Sequence, residues 1–407
     1  MKKRLIAITL IFLLVLQGCS IKESVTETTN QNESERETDT SVQEETELEM
    51  ESFTEEELQV MQIEEILNEM SLEEKIYQMF IITPEALTGY NSVTKAGEIT
   101  KLSLEKYPVG GLIYFAGNLV DAEQTREMLD NTSQYAIDIN GLPVFLCVDE
   151  EGGRVARIGN SDGFNVPQVQ AMGNIASKEE AYEAGNTIGK YLDELGFNFD
   201  FAPDADVITN EKNTVIGDRS FGSDASIVSS YANAYSDGLH NNDVLSTFKH
   251  FPGHGATEGD THEGFAYTNK TYEELLKEEL VPFANANEAG VDAVMISHIS
   301  VPSILGDNTP CSLSYKMVTE VLRQDLGYNG LIVTDAMGMG AIIKNYTCEA
   351  STVLAVKAGV DIILMPEDFE VAVGSLIEAV GNGEITEERI DESVRRIVAV
   401  KLQMKGD

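Results

Sequence analysis

The chain has 407 residues, with 69 acidic against 28 basic side chains and a formal net charge of −41. That balance excludes a nucleic-acid binder, because displacing phosphate counterions takes lysine and arginine. Hydrophobic residues make up 42%, aromatics 7% with no tryptophan, so most of the chain can bury a core of one large domain or two modest ones.

Met1-Lys2-Lys3-Arg4 is a basic start, and Leu5 to Leu16 is an apolar run too short to span a bilayer comfortably. It ends in Leu16-Gln17-Gly18-Cys19, which looks like a bacterial lipobox; the alternative is an ordinary signal peptide with a chance cysteine. Residues 1–19 are therefore expected to be a lipoprotein signal ending at a lipidated Cys19. The protein is then held on the extracytoplasmic face of the cell membrane by its N-terminal lipid alone. Residues 20–57 are rich in Ser, Thr, Glu, Gln and Asn. They lack the apolar surface to offset their ordering entropy and read as an acidic, disordered tether. The other cysteines, Cys147, Cys311 and Cys348, are odd in number and have no CxxC partner, which argues against a disulfide framework. Cys147 lies in the apolar run Val144–Val148 and reads as a small buried hydrophobe.

From residue 58 to 407 apolar runs alternate with helical patterns. The predicted strands are 78–82, 111–115, 143–148, 197–202, 244–249, 293–298, 331–334 and 361–365. The predicted helices are 121–137, 177–195, 227–241, 271–289, 314–326, 368–380 and 387–404. Ser71-Leu72-Glu73-Glu74 has capping-box spacing. Eight apolar strands alternating with helices predict parallel βα units, and eight is the number that closes a TIM (β/α)8 barrel, here as a single catalytic domain. A doubly wound sheet would show a Gly-rich turn after its first strand, where Thr83-Pro84-Glu85 stands instead.

Catalytic groups of such barrels sit at the C-terminal ends of strands. Those ends carry Asp149, Asp204 and Asp206, Lys249 and His250, His298, and Asp335. The densest segment is Lys249-His250-Phe251-Pro252-Gly253-His254-Gly255, followed by Asp260-Thr261-His262. Its proline and glycines forbid a regular helix. One reading is a metal site from His250, His254, Asp260 and His262; the spacing matches no common ligand pattern, and a lysine beside His250 opposes a cation. The other is a proton-transfer dyad in which Asp260 orients His262. In Gly330–Gly340, Asp335 is delivered by an apolar strand as a nucleophile, a base or a helix cap. Val148–Arg157 supplies a carboxylate and a guanidinium that can hold hydroxyl or acidic groups, and Gly217–Gly222 supplies Arg219.

These segments together resemble the family-3 glycoside hydrolases, and within them the β-N-acetylhexosaminidases of the NagZ type, over about residues 60 to 405. The resemblance implies that Asp335 is the nucleophile forming a glycosyl-enzyme intermediate, His262 the general acid/base and Asp260 its orienting partner. It implies that Asp149, Arg157, Arg219, Lys249 and His250 bind the N-acetylglucosaminyl unit. Glu263-Gly264-Phe265-Ala266 stands where the family often has a proline a few residues after the D-x-H histidine, and Ala336 stands where a second acid often follows the nucleophile. The expected reaction is hydrolysis, with retention, of terminal β-linked N-acetylglucosamine from a glycoside or muropeptide. It is expected to need no cofactor and no metal and to work as a monomer. A histidine acid/base repels an incoming anion less than a carboxylate does, so a phosphorylase stays open, as do a β-glucosidase, a non-catalytic sugar-binding lipoprotein and a metal-dependent hydrolase.

Overall fold

The computed structural model describes residues 53–257 and 266–404. The lipobox with Cys19, nearly all of the expected tether, and the Asp260–His262 dyad lie outside the described residues. The chain divides into two units, up to Glu65 and from Ile66. The described part of the first unit begins the helix Glu55–Glu69, which starts inside the stretch read as tether. Thr54 and Glu57 cap it reciprocally, with Glu57 Oε2 accepting from Thr54 N at 2.8 Å, so the acidic composition ends in a local helix start before residue 58.

In the second unit eight short strands follow one another: β1 (Phe80–Ile82), β2 (Gly111–Ile113), β3 (Phe145–Val148), β4 (Phe199–Asp200), β5 (Thr247–Phe251), β6 (Ala293–Ile296), β7 (Leu331–Thr334) and β8 (Ile363–Leu364). Each lies in or overlaps a predicted run. Every pairing among them is parallel, in one sheet ordered β8-β1-β2-β3-β4 and another ordered β5-β6-β7. Single parallel bridges Phe199–Leu245 and Asp204–Lys249 join the β4 and β5 segments, and Val333–Ile362 joins β7 to the start of β8. The fold is TIM-barrel-like. All eight strands are buried along their length, as expected for parallel strands covered by helices.

The helices begin where their sequence says. Ser71 and Glu74 form the predicted capping box, and Asp121, Ser177, Asp224 and Asp368 each accept a hydrogen bond from a first-turn N–H. The predicted helix 271–289 is broken into Tyr272–Leu275 and Val281–Ala284, because Pro282 cannot continue a helix and starts a new one. Two helices not anticipated, Glu98–Lys106 and Cys348–Ala358, complete the outer layer. Under the N-terminal ends of the strands, the last helix Glu387–Gln403 inserts Lys401, almost wholly buried. Its Nζ lies 2.7 Å from Gln78 Oε1 and 4.9 Å from the centre of the Phe145 ring.

Candidate active site

The strand ends bring charged side chains to one rim. Lys249, inside β5, is buried to 2% exposure, its ammonium 2.9 Å from Asp149 Oδ1 and 2.7 Å from Glu151 Oε1. Burial works against its charge, but these carboxylates outweigh it and raise the ammonium above the ordinary lysine range. Arg219 makes a two-pronged contact with Glu151, Nε to Oε2 and Nη2 to Oε1 both at 2.8 Å. Glu151 is thus the common anchor of two cations; they overcome its burial and hold it below the ordinary carboxylate range. Asp149 also meets Arg157, Nη2 to Oδ2 at 3.5 Å, and the Arg157 guanidinium lies 5.7 Å from the Phe115 ring centre.

Backbone devices hold these groups in place. Just after β3 the chain folds into a hairpin, Glu150–Gly152 against Val155–Ala156. Glu150 faces away from the rim and accepts from the N–H groups of Ile158 and Gly159 at 2.9 and 2.8 Å and from the Tyr191 hydroxyl at 2.8 Å. Arg154 Nη2 donates to the carbonyls of Val215 and Ile216 at 2.6 and 2.9 Å, which ties the hairpin to the segment that carries Arg219.

His250 donates from Nδ1 to Asp206 Oδ2 at 2.8 Å, leaving Nε2 to face Arg219 Nη2 at 3.4 Å. Burial, then the Arg219 charge, lowers it to about 4, so it is a neutral imidazole near neutral pH. Asp206 Oδ1 also accepts from His254 N, fixing the turn that follows. In that turn Gly253 has φ 126°, and a Cβ there would lie 2.5 Å from Glu279 Cβ. Glu279 is itself buried and bound by Lys270 and Thr209. Asp204, wholly buried, is pushed up to about 7 by burial and by Asp206.

Asp335 ends β7. Its Oδ1 accepts from Ala336 N at 2.8 Å, and no helix starts there: the next, Gly340–Ile343, is preceded by Met339. The capping alternative for Asp335 is therefore set aside. Burial resists its charge, but His298 and His250, the Ala336 N–H and Lys249 hold it below the ordinary carboxylate range. His298, at the end of β6, is fixed by Ser312 Oγ on Nδ1 at 2.8 Å and by the Ala336 carbonyl on Nε2 at 3.0 Å.

Of the residues singled out in the sequence, Asp149, Arg157, Arg219, Lys249 and His250 are joined in one network, and Asp335 interacts electrostatically with its Lys249 and His250. Glu151 was missed as a working part, and Asp206 was placed at a strand end without its partner His250. Their signal was present, in a strand-end acid doublet for one and an Asp-x-Asp after a strand for the other, but which carboxylate of each pair faces the cations is a matter of backbone geometry. An ionised carboxylate set in a rim of fixed donors is the equipment of a glycoside-cleaving site.

The glycosyl hydrolase family 3 N-terminal domain matches residues 71–400, and the chain belongs to that family. It is 32% identical over 333 residues to beta-hexosaminidase A of Pseudoalteromonas piscicida, covering 75% of this chain and 55% of that one. It is 34% identical over 304 residues to beta-hexosaminidase LpqI of Mycobacterium tuberculosis, covering 72% and 76%. Among solved structures, a family 3 beta-N-acetylglucosaminidase from a Paenibacillus species superposes with a TM-score of 0.76 at 36% identity, covering 82% of this chain and 62% of that one. The chain thus spans little more than half of the Pseudoalteromonas relative and less than two thirds of the Paenibacillus one.

Proposed function

We propose that the protein is a retaining β-N-acetylhexosaminidase that removes terminal β-linked N-acetylglucosamine, with peptidoglycan-derived fragments as its substrates. The observation that carries this reading is Asp335: a buried, ionised carboxylate at a strand end, beside a network of Lys249, Arg219, Asp149 and Arg157 able to grip sugar hydroxyls. The names of the relatives at 32% and 34% identity support the amino-sugar preference.

In the first step an Asp335 oxygen attacks the anomeric carbon as the bond to the leaving oxygen breaks, and His262, oriented by Asp260, gives that oxygen its proton. In the second, water attacks the anomeric carbon while His262 takes its proton, the carbon–Asp335 bond breaks and the sugar leaves with its configuration retained. Neutral His250 carries no charge that would compete with Lys249 for Asp335. In the same reading the eight strands form a full (β/α)8 barrel that works as a monomer; the single bridges between the β4 and β5 segments and from β7 to the start of β8 support its closure.

The test is chromophore release from aryl β-N-acetylglucosaminide and aryl β-glucoside, each with and without phosphate. Preference for the first, unaffected by phosphate, is expected. Preference for the glucoside refutes the amino-sugar reading, and phosphate-dependent release of sugar phosphate refutes hydrolysis. Anchoring through Cys19 is part of the same proposal: Cys19→Ala is expected to release the protein from membranes or leave it unprocessed, and unchanged membrane partition and mass would count against it.

A further inference from the structure

Asp204, Asp206 and His250 meet behind the sugar-binding rim with one ligand atom from each within 4.8 Å of the others. His250 Nδ1 lies 2.8 Å from Asp206 Oδ2 and 3.9 Å from Asp204 Oδ2. Two oxygens and an imidazole nitrogen are a ligand set for a borderline divalent ion, whose tetrahedral shell, with bonds of about 2.0–2.1 Å, spaces its ligands by about 3.3 Å. The distances around His250 bracket that spacing, so small side-chain rotations would close the shell.

A second observation points to a ligand. Asp204 is fully buried, yet its Oδ2 accepts no hydrogen bond. The nearest cation is Arg219 Nη2 at 3.6 Å, and that guanidinium is already committed to Glu151. A buried carboxylate oxygen left without a donor is costly, and a cation that it can ligate removes the cost. Of the three candidate ligands His250 is the least deeply buried, with 9% of its side chain exposed, so the ion's route of entry and its open position are on the His250 side.

We infer that Asp204, Asp206 and His250 form an inhibitory site for a divalent transition metal ion of the zinc type. The ion binds at Nδ1 and displaces the proton that His250 now gives to Asp206, which moves the ring proton to Nε2. Nε2 then points a donor at Arg219 Nη2, itself a donor, and the contact at 3.4 Å is lost. The consequence for catalysis rests on the role proposed above for His250 and Arg219 in gripping the sugar; the binding of the ion does not.

The experiment uses the full folded chain stripped with chelator. Titration calorimetry with Zn2+ alone is expected to show one tight site per chain, weakened more than about tenfold in Asp204→Asn. Zn2+ is expected to inhibit aryl β-N-acetylglucosaminide hydrolysis competitively in the parent and at correspondingly higher concentration in the variant. No tight site, or equal binding by Asp204→Asn, overturns the proposal. Should the variant not fold, X-ray absorption of the zinc-loaded parent decides: one imidazole with oxygen neighbours supports the site, and sulfur or no imidazole overturns it. Absence of any glycoside hydrolysis before zinc is added would refute the proposed function and leave the calorimetric result standing by itself.

Discussion

Lys249 and Glu151 lie 2.7 Å apart at the centre of the rim, both almost wholly out of water, and each makes a second ionic contact, Lys249 with Asp149 and Glu151 with Arg219. The rim is therefore one chain of alternating charges, Arg157–Asp149–Lys249–Glu151–Arg219, with no member replaceable alone. Glu151→Gln takes the shared charge away from two buried cations, leaving Lys249 with Asp149 and Arg219 with the more distant Asp204. Breaking such a pair costs about 3–5 kcal/mol, and urea unfolding is expected to show a loss on that order. Any activity left should show a raised KM for the sugar. A variant as stable as the parent would mean that the two cations have found other partners.

Asp335→Ala removes the proposed nucleophile, and turnover is expected to fall by several orders of magnitude. A 2-deoxy-2-fluoro or 5-fluoro sugar probe should label the peptide containing Asp335. Labelling of another peptide, or an oxazoline formed by the substrate's own acetamido group, would assign the nucleophile elsewhere.

Loss of His262 should depend on the leaving group. A sugar departs only with a proton, whereas dinitrophenol hardly needs one. His262→Ala is expected to slow the first by about 10²–10⁴-fold, the usual worth of acid–base assistance. With dinitrophenyl glycosides the intermediate should form quickly and then stall, until azide or another small anion relieves it. Asp260→Asn should show a milder version. Equal losses for good and poor leaving groups would make His262 a binding residue instead.

Burial lowers Lys401 to about 7, well under its value in an unfolded chain, so the unfolded state binds more protons between the two values and stability from this group rises with pH across that window. Below pH 7 the residue is charged in both states and its full burial penalty applies. Lys401→Met removes that penalty. The melting temperature of the variant minus that of the parent should therefore be greatest at pH 6 and shrink steadily towards pH 10. A difference independent of pH would mean that Lys401 keeps its charge in the fold.

Much of this was legible beforehand, because parallel strands buried on both faces leave continuous apolar runs and strand ends leave polar residues. That is why all eight strands and the rim residues Asp149, Lys249, His250 and Asp335 could be read in order. What escaped has physical reasons. Cys348–Ala358 is apolar or small nearly all round and carries no stripe to betray a helix. The segment 271–289 has helical spacing, but Pro282 overrides it. Glu150 and Glu151 are adjacent and alike, and only the hairpin decides that one serves backbone N–H groups and Tyr191 while the other serves Lys249 and Arg219. The cis peptide between Lys249 and His250 has no signature in residue type.

The contact of Gly253 with Glu279 sets a boundary on how this enzyme can be varied. In a saturation library, position 253 combines a positive φ that L side chains rarely adopt with a Cβ site occupied by Glu279, so its column should be empty of everything but glycine. Selection for new glycoside preferences cannot work through that position, and variation near it has to enter through neighbours whose side chains already have room.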